Sequence, residues 1–330
     1  MLNHTSKLKD TPMQHLIEQA IKFLEGKIRK TPVEYSPGLS KLLGQPIYLK
    51  LECLQLTGSF KIRGGFFYLS TLNTEERKRG VAVCSAGNHG LGVAFAGKEL
   101  QVPCTVFVPK SVDQAKYNKL IALGAHVKKS DFVGYDDTLA WAQQEAKKLH
   151  IPLISAFDDE KIMAANGGTL AAEVIAEVPD ATHFVLPIGG GGLSAGFSWY
   201  AKHQNPQAQI LVCQLAECPS LKLSFEKNKA MTYMPSIVTL AGGIEGGLGA
   251  KCFEILKSRI DKIALISEQE LRKSVCWLLE HHQYLIEPSA AVALASCLYE
   301  HVHPTGPTVI VLSGRNVSYS TIRELVESEP

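Results

Sequence analysis

The chain has 330 residues, 45% of them hydrophobic and 20% charged, with 34 basic against 32 acidic side chains and a net charge of +2. That length can bury a large core, in two lobes. The near-balance of charge excludes an electrostatic nucleic-acid binder, which would show a basic cluster interleaved with aromatics; the short basic runs at 27–30 and 77–79 read as solvated faces.

In chain order, the N-terminal MLNHTSKLKDTPMQHL lacks the apolar core of a signal peptide and points to a cytoplasmic protein. Met13, Leu16, Ile17, Ala20, Ile21 and Leu24 recur at helical spacing, and Gly26 follows as a stop. Short apolar runs then predict strands at 47–51, 81–85, 104–108, 126–130, 152–157, 182–188, 209–216, 262–267 and 308–314. Helical patterns lie between them, among others at 113–123, 136–149 and 268–281. Many of the strand runs are apolar throughout, as parallel strands covered on both faces should be. The fold class is therefore α/β with a twisted, mainly parallel sheet. The uncharged stretch 181–201 is cut by Pro187 and four consecutive glycines, so it is a poor membrane span. Cysteines at 53, 84, 104, 213, 218, 252, 276 and 297 form no CxxC pair and no Cys/His ligand array. Most sit in apolar runs and read as small buried hydrophobes of a reducing compartment.

Three segments carry chemistry. In KLECLQLTGSFKIRGG, Lys61 stands behind a Thr-Gly-Ser-Phe turn and ahead of Arg63 and two glycines. In SAGNHG, after the strand run VAVC, Ser85, Asn88 and His89 offer short polar groups while Gly87 and Gly90 allow tight backbone. Two readings fit this segment: capture of a substrate carboxylate at a helix start, or an ordinary N-cap made by Asn88 or Ser85. Gly189, Gly190, Gly191 and Gly192 lie between the strand run THFVLPI and the helical run LSAGFSWYAKH. Glycines at a strand-to-helix junction let consecutive N–H groups converge on an anion, aided by the helix N-terminus. The spacing is neither GxGxxG nor GxxxxGK[ST], which argues against a dinucleotide or nucleoside triphosphate. A reactive amine, a carboxylate grip and a phosphate cradle together point to pyridoxal phosphate.

KLECLQLTGSFKIRGG, SAGNHGLGVAFA, PIGGGGLSAG, IEPSAAVALA and VLSGRN occur in an order and at separations that closely resemble fold-type II pyridoxal-phosphate enzymes, the tryptophan synthase β-like group, and within them the threonine/serine dehydratases and serine racemases. The resemblance runs from about residue 14 to residue 318. It implies two open α/β domains: residues 1–75 with 155–330 binding the cofactor, and residues 76–154 closing over the substrate. It implies that Lys61 bears pyridoxal 5′-phosphate on its amine and moves the Cα proton, that Phe60 lies against the ring, and that Asn88 bonds the ring's 3′ oxygen. The amides of Gly189, Gly190, Gly191, Gly192 and Leu193 are expected on the phosphate and Ser313 at the pyridine nitrogen. Ser85, Gly87, Asn88 and His89 are expected on the substrate carboxylate. Glu287 is placed near the cofactor, with no role assigned. A hydroxyl at the pyridine nitrogen gives a weaker electron sink than a carboxylate partner, favouring prompt loss of a β-hydroxyl over transamination. The expected activity is that of a lyase acting on L-threonine or L-serine to give a 2-oxo acid and ammonia, in a homodimer or homotetramer, with a small amino acid as its partner molecule and neither nucleic acid nor membrane.

The chain departs from the family pattern at several positions. Ala86 stands where the racemase has a second serine; an alanine moves no proton, which disfavours racemisation. Leu91 follows NHG where a polar residue is usual and puts the pocket's polar lining in doubt. Gly242 in TLAGGIEGG replaces an aspartate, and Arg315 in SGRN replaces a glycine. Together these suggest another hydroxy amino acid, such as an osmolyte, with Arg315 as a substrate-binding residue for a second anionic group or else as part of a structural ion pair. Glu217 matches the first ligand of the racemase's divalent site, but Leu221 and Leu223 supply no side-chain oxygen, so no metal is expected. The chain ends soon after SGRN, so isoleucine feedback through an added C-terminal domain is not expected.

Overall fold

The computed structural model describes residues 11–133, 135–235 and 237–327; the first ten residues, on which part of the N-terminal reading rests, lie outside the described residues. The strands in chain order are β1 (Val33–Tyr35), β2 (Ile47–Lys50), β3 (Val81–Cys84), β4 (Cys104–Val108), β5 (His126–Lys129), β6 (His183–Pro187), β7 (Gln209–Leu215), β8 (Lys262–Ile266) and β9 (Thr308–Val311). Six of them form one sheet in the order β1-β2-β9-β6-β7-β8, and β3-β4-β5 form a second. Every pairing is parallel except β1 with β2. β9 inserts between β2 and β6, so one sheet draws on both ends of the chain.

The apolar runs explain the layering. In β7, Leu211, Cys213 and Leu215 face a core built with the helices Glu268–His282 and Pro288–Leu298. Ile210 and Val212 face the opposite core, built with Thr169–Glu177 and Gly192–Gln204. Alternate residues of one strand thus feed two cores, and both must be apolar. The second sheet has its own core, in which Val81, Val83 and Val106 meet Ile62, Phe66 and Leu69 of the helix Lys61–Ser70. β5 is an edge strand and carries Lys128 and Lys129, as exposed edges commonly do.

One expectation is corrected, and one strand had no sequence signal. The run 152–157 is not a strand: only Leu153 bridges to Ala82. Pro152 has no N–H to donate, and the Ser155 hydroxyl accepts from the amides of Phe157 and Asp158 (3.4 and 2.9 Å), turning the chain away. Conversely β1, three residues interrupted by Glu34, was too short and too polar for its sequence to announce a strand.

Behind the lysine helix lies a buried ionic network. Arg63 is fully buried; its Nε and Nη2 donate to the Glu52 carboxylate (2.9 and 2.8 Å), and its Nη1 and Nη2 donate to Glu173 (2.7 and 2.9 Å). Lys50, also fully buried, donates to the Thr31 carbonyl (2.7 Å) and pairs with Glu173 (3.0 Å). Burial pushes the Glu173 carboxyl up, but the Arg63 and Lys50 charges outweigh it and hold the pKa below its ordinary value. Truncating Arg63 leaves the Glu52 carboxylate buried without its guanidinium partner. Arg63→Ala is expected to lower stability by about 3–5 kcal/mol in urea unfolding. Arg63→Lys should recover only part of that loss, because an ammonium cannot serve two carboxylates in forked geometry.

Candidate active site

Lys61 opens the helix Lys61–Ser70, and the turn before it is tied to the end of β9. Gly58 has a φ of +75° and its carbonyl accepts from the Arg315 amide (2.8 Å), while the Phe60 amide donates to the Ser313 carbonyl (3.2 Å). The Lys61 ammonium donates to the Ala156 carbonyl (2.7 Å) and lies 5.1 Å from the centre of the Phe60 ring. Burial draws the amine's pKa down to about 8, opposed by Cys252 and by Glu287. At neutral pH a usable fraction is therefore unprotonated, as a nucleophilic or proton-accepting lysine requires.

The two glycines of the lysine motif are contact surfaces. A Cβ at Gly64 would stand 2.8 Å from the Asn166 side chain, and one at Gly65 would stand 2.9 Å from the Gly92 carbonyl oxygen. A Cβ at Gly92 would in turn meet the Lys61 backbone at 2.9 Å. The helices Lys61–Ser70 and Asn88–Leu100 thus cross backbone to backbone, bringing SAGNHG beside the lysine. The helix cap there is Gly87, with no side-chain bond, so neither Ser85 nor Asn88 caps it; the Ser85 hydroxyl accepts from the Gly87 amide (3.2 Å) instead. Asn88 is gripped on both sides. Its Nδ2 donates to Glu287 Oε1 (2.6 Å), and its Oδ1 accepts from Asn316 Nδ2 (2.6 Å), which also donates to the Thr57 carbonyl (2.8 Å). Burial pushes the Glu287 carboxyl up despite these bonds.

His89 is buried, its Nε2 is 3.2 Å from the Ile154 carbonyl, and its Nδ1 has no partner among the described residues. Leu91 is also buried and belongs to the core of the second sheet, which accounts for an apolar residue there.

At the end of β6, the amides of Gly189, Gly190, Gly191, Gly192 and Leu193 donate to no other group among the described residues. Gly191 has a φ of +97°. A Cβ at Gly190 would sit 2.2 Å from the Phe157 ring, and one at Gly192 would sit 2.9 Å from the Phe157 backbone. The segment 155–158 therefore touches the lysine amine through Ala156 and the glycine loop through Phe157. Five amides with no acceptor among the described residues at a helix start, linked to a desolvated amine through the segment 155–158, make a site that fits a phosphate-bearing aldehyde such as pyridoxal phosphate.

Ser313 is buried two residues beyond β9, and its hydroxyl makes no hydrogen bond among the described residues. Arg315 is exposed, forms no ion pair among the described residues, and its charge acts on Cys53, whereas the charges acting on Lys61 are those of Cys252 and Glu287. Gly242 is exposed and a Cβ there would meet nothing within 4 Å; the carboxylate of Glu245, three residues on, accepts from the Gly243 amide. Glu217 is exposed while Leu221 is fully buried, and among the described residues no group of three acidic, His or Cys side chains could hold a metal ion. No described helix is long and apolar enough to cross a membrane. The Ala156 carbonyl, Phe157 and Cys252 were not visible as site residues in the sequence: the first is backbone, and the others lie in no catalytic motif; Asn316 ends the motif VLSGRN, but its bond to Asn88 is made only by the fold.

Burial and the Lys61 charge draw the His89 pKa down to about 3, so the ring is neutral in the folded protein. Unfolding frees it to take a proton below its ordinary 6.5, so stability is full above pH 6.5 and falls as pH drops toward 3. Replacing this group by His89→Gln should reduce the loss of unfolding free energy between pH 7 and pH 5 by about 2 kcal/mol, read from urea midpoints at each pH.

The family described as pyridoxal-phosphate dependent enzyme matches residues 24–314. An L-threonine ammonia-lyase of Geobacter sulfurreducens is 38% identical over 94% of this chain and 77% of its own length. The serine racemase of Dictyostelium discoideum is 31% identical over 94% of this chain and 96% of its own. The structure of maize serine racemase superimposes with a TM-score of 0.89 at 25% identity, covering 95% of this chain and 96% of that one. With its lysine, its amide cradle and this extent of similarity, the chain belongs to the pyridoxal-phosphate-dependent enzyme family, in the fold-type II group.

Proposed function

We propose that this protein is a pyridoxal-phosphate-dependent ammonia-lyase that removes the β-hydroxyl and then the amino group of L-threonine or L-serine. The observation that carries the reading is the pairing of the Lys61 amine, with its pKa drawn down to about 8, with five amide donors across the single segment 155–158. Relatives named L-threonine ammonia-lyase and L-threonine dehydratase support it.

In this reading Lys61 and Phe60 hold the cofactor's reactive end and ring, Gly189, Gly190, Gly191, Gly192 and Leu193 its phosphate, Asn88 its ring oxygen and Ser313 its ring nitrogen. When bound, pyridoxal phosphate supplies the electron sink for negative charge at the substrate's Cα. The rest is done by side chains and backbone. Ser85, Gly87, Asn88 and His89 bind the carboxylate at the N-terminus of Asn88–Leu100, where backbone N–H groups favour an anion. The Lys61 amine, aimed by the Ala156 carbonyl, takes the Cα proton from one face. Ala86 offers no proton on the other face, which favours elimination over racemisation. Residues 76–154 form the lobe that closes and excludes water. The assembly is a homodimer or homotetramer in the cytoplasm.

The two departures from the family pattern, Gly242 and Arg315, motivate a second reading, in which the substrate is a bulkier hydroxy amino acid. The exposed Arg315 guanidinium would then meet a further anionic group. Arg315→Gly should change the ratio of kcat/KM between hydroxy amino acids; an unchanged ratio removes Arg315 from the substrate site.

Protein purified with pyridoxal phosphate is expected to show a visible absorbance band that Lys61→Ala abolishes. It should release 2-oxobutyrate from L-threonine or pyruvate from L-serine. A coloured protein inert to both keeps the cofactor and moves the substrate to the bulkier class. A protein that pyridoxal phosphate cannot colour overturns the reading.

A further inference from the structure

Cys252 lies beneath the glycine loop: a Cβ at Gly191 would stand 2.9 Å from its Cβ and 3.5 Å from its sulfur. It is fully buried. Its Sγ is 3.4 Å from the Phe157 carbonyl oxygen and 3.6 Å from the Met163 sulfur, while its amide donates to Asp158 Oδ1 (3.1 Å). The same carboxylate fills the space beside Gly249, where an added Cβ would stand 2.4 Å from Oδ1, and the Gly249 amide donates to the Gly190 carbonyl (3.0 Å). From the other side, the Ser155 hydroxyl accepts from the amides of Phe157 and Asp158. Residues 155–158 therefore form a turn closed by Ser155 and held by Cys252 at Phe157 and Asp158, and that turn carries the Ala156 carbonyl on the lysine amine and the Phe157 ring on the cradle.

We propose that Cys252 is a positioning residue of the active site, whose thiol and amide together fix residues 155–158 so that one short segment sets both the aim of the Lys61 amine and the shape of the amide cradle. Burial, reinforced by the Asp158 charge, pushes the thiol's pKa well above its ordinary value, so it remains an S–H donor across the working range. A thiol is a weak donor, but the part-buried Phe157 carbonyl accepts from it, and removing the donor leaves that carbonyl without this partner. The inference rests on Lys61 being the cofactor-bearing lysine.

The experiment compares full-length wild type with Cys252→Ala, Cys252→Ser and Asp158→Ala, each titrated with pyridoxal phosphate by visible absorbance and then assayed with L-threonine. Cys252→Ala is expected to weaken retention of pyridoxal phosphate by roughly five- to tenfold, the worth of one buried hydrogen bond. It should also move the pH midpoint of the absorbance band, and lower kcat more than it raises KM. Cys252→Ser keeps a donor and should recover most of each change. Asp158→Ala, which removes the carboxylate held by the Cys252 amide, should weaken retention to a similar degree and carries the test if Cys252→Ala does not fold. Wild-type affinity and pH midpoint in Cys252→Ala or in Asp158→Ala would overturn the proposal, as would a serine variant no better than alanine. A wild-type chain that forms no band overturns the assignment of Lys61 itself, before any variant is compared.

Discussion

The position of Lys61 depends on a buried arginine two residues further along the chain. Arg63 is fully buried and holds the carboxylates of Glu52 and Glu173 at once. Glu52 follows β2, and Glu173 belongs to the helix Thr169–Glu177, so the guanidinium joins the six-stranded sheet, a helix on its face and the first turn of the lysine helix. Such a network adds little net stability over apolar packing, but its fork geometry admits a single arrangement. With Arg63 set in this way, the backbone of Lys61 two residues earlier is held as well, and the Ala156 carbonyl takes its amine.

Around that anchor, close approach is achieved by omission of side chains. Gly64 and Gly65 let Asn166 and the Gly92 backbone come against the lysine helix, and Gly190 and Gly192 let Phe157 come against the anion loop. The amides left over at 189–193 have no acceptor among the described residues. The desolvation that draws the Lys61 pKa down follows from the same packing.

Much of this was legible in the sequence, for reasons that can be named. Strands covered on both faces have to be apolar throughout, so β4, β6, β7 and β9 stood out as uninterrupted runs. The glycine loop was legible because a run of glycines between a strand and a helix has few structural uses. What stayed hidden was chemistry without a side-chain signature, such as the Ala156 carbonyl, and pairs made only by the fold, such as Asn88 with Asn316 228 positions away. The run 152–157 was misread because an apolar composition does not distinguish a laddered strand from an extended segment that Pro152 and Ser155 bend away.

The turn at residues 57–60 is bonded to the segment after β9, so it moves with the six-stranded sheet. The helix that begins at Lys61 buries Ile62, Phe66 and Leu69 in the core of the three-stranded sheet. Residue 61 thus lies where a turn bonded to the six-stranded sheet gives way to a helix packed in the core of the three-stranded one, so the backbone that carries the amine is held from both sheets at once. Loosening of either sheet would shift that backbone even with every residue around the amine unchanged.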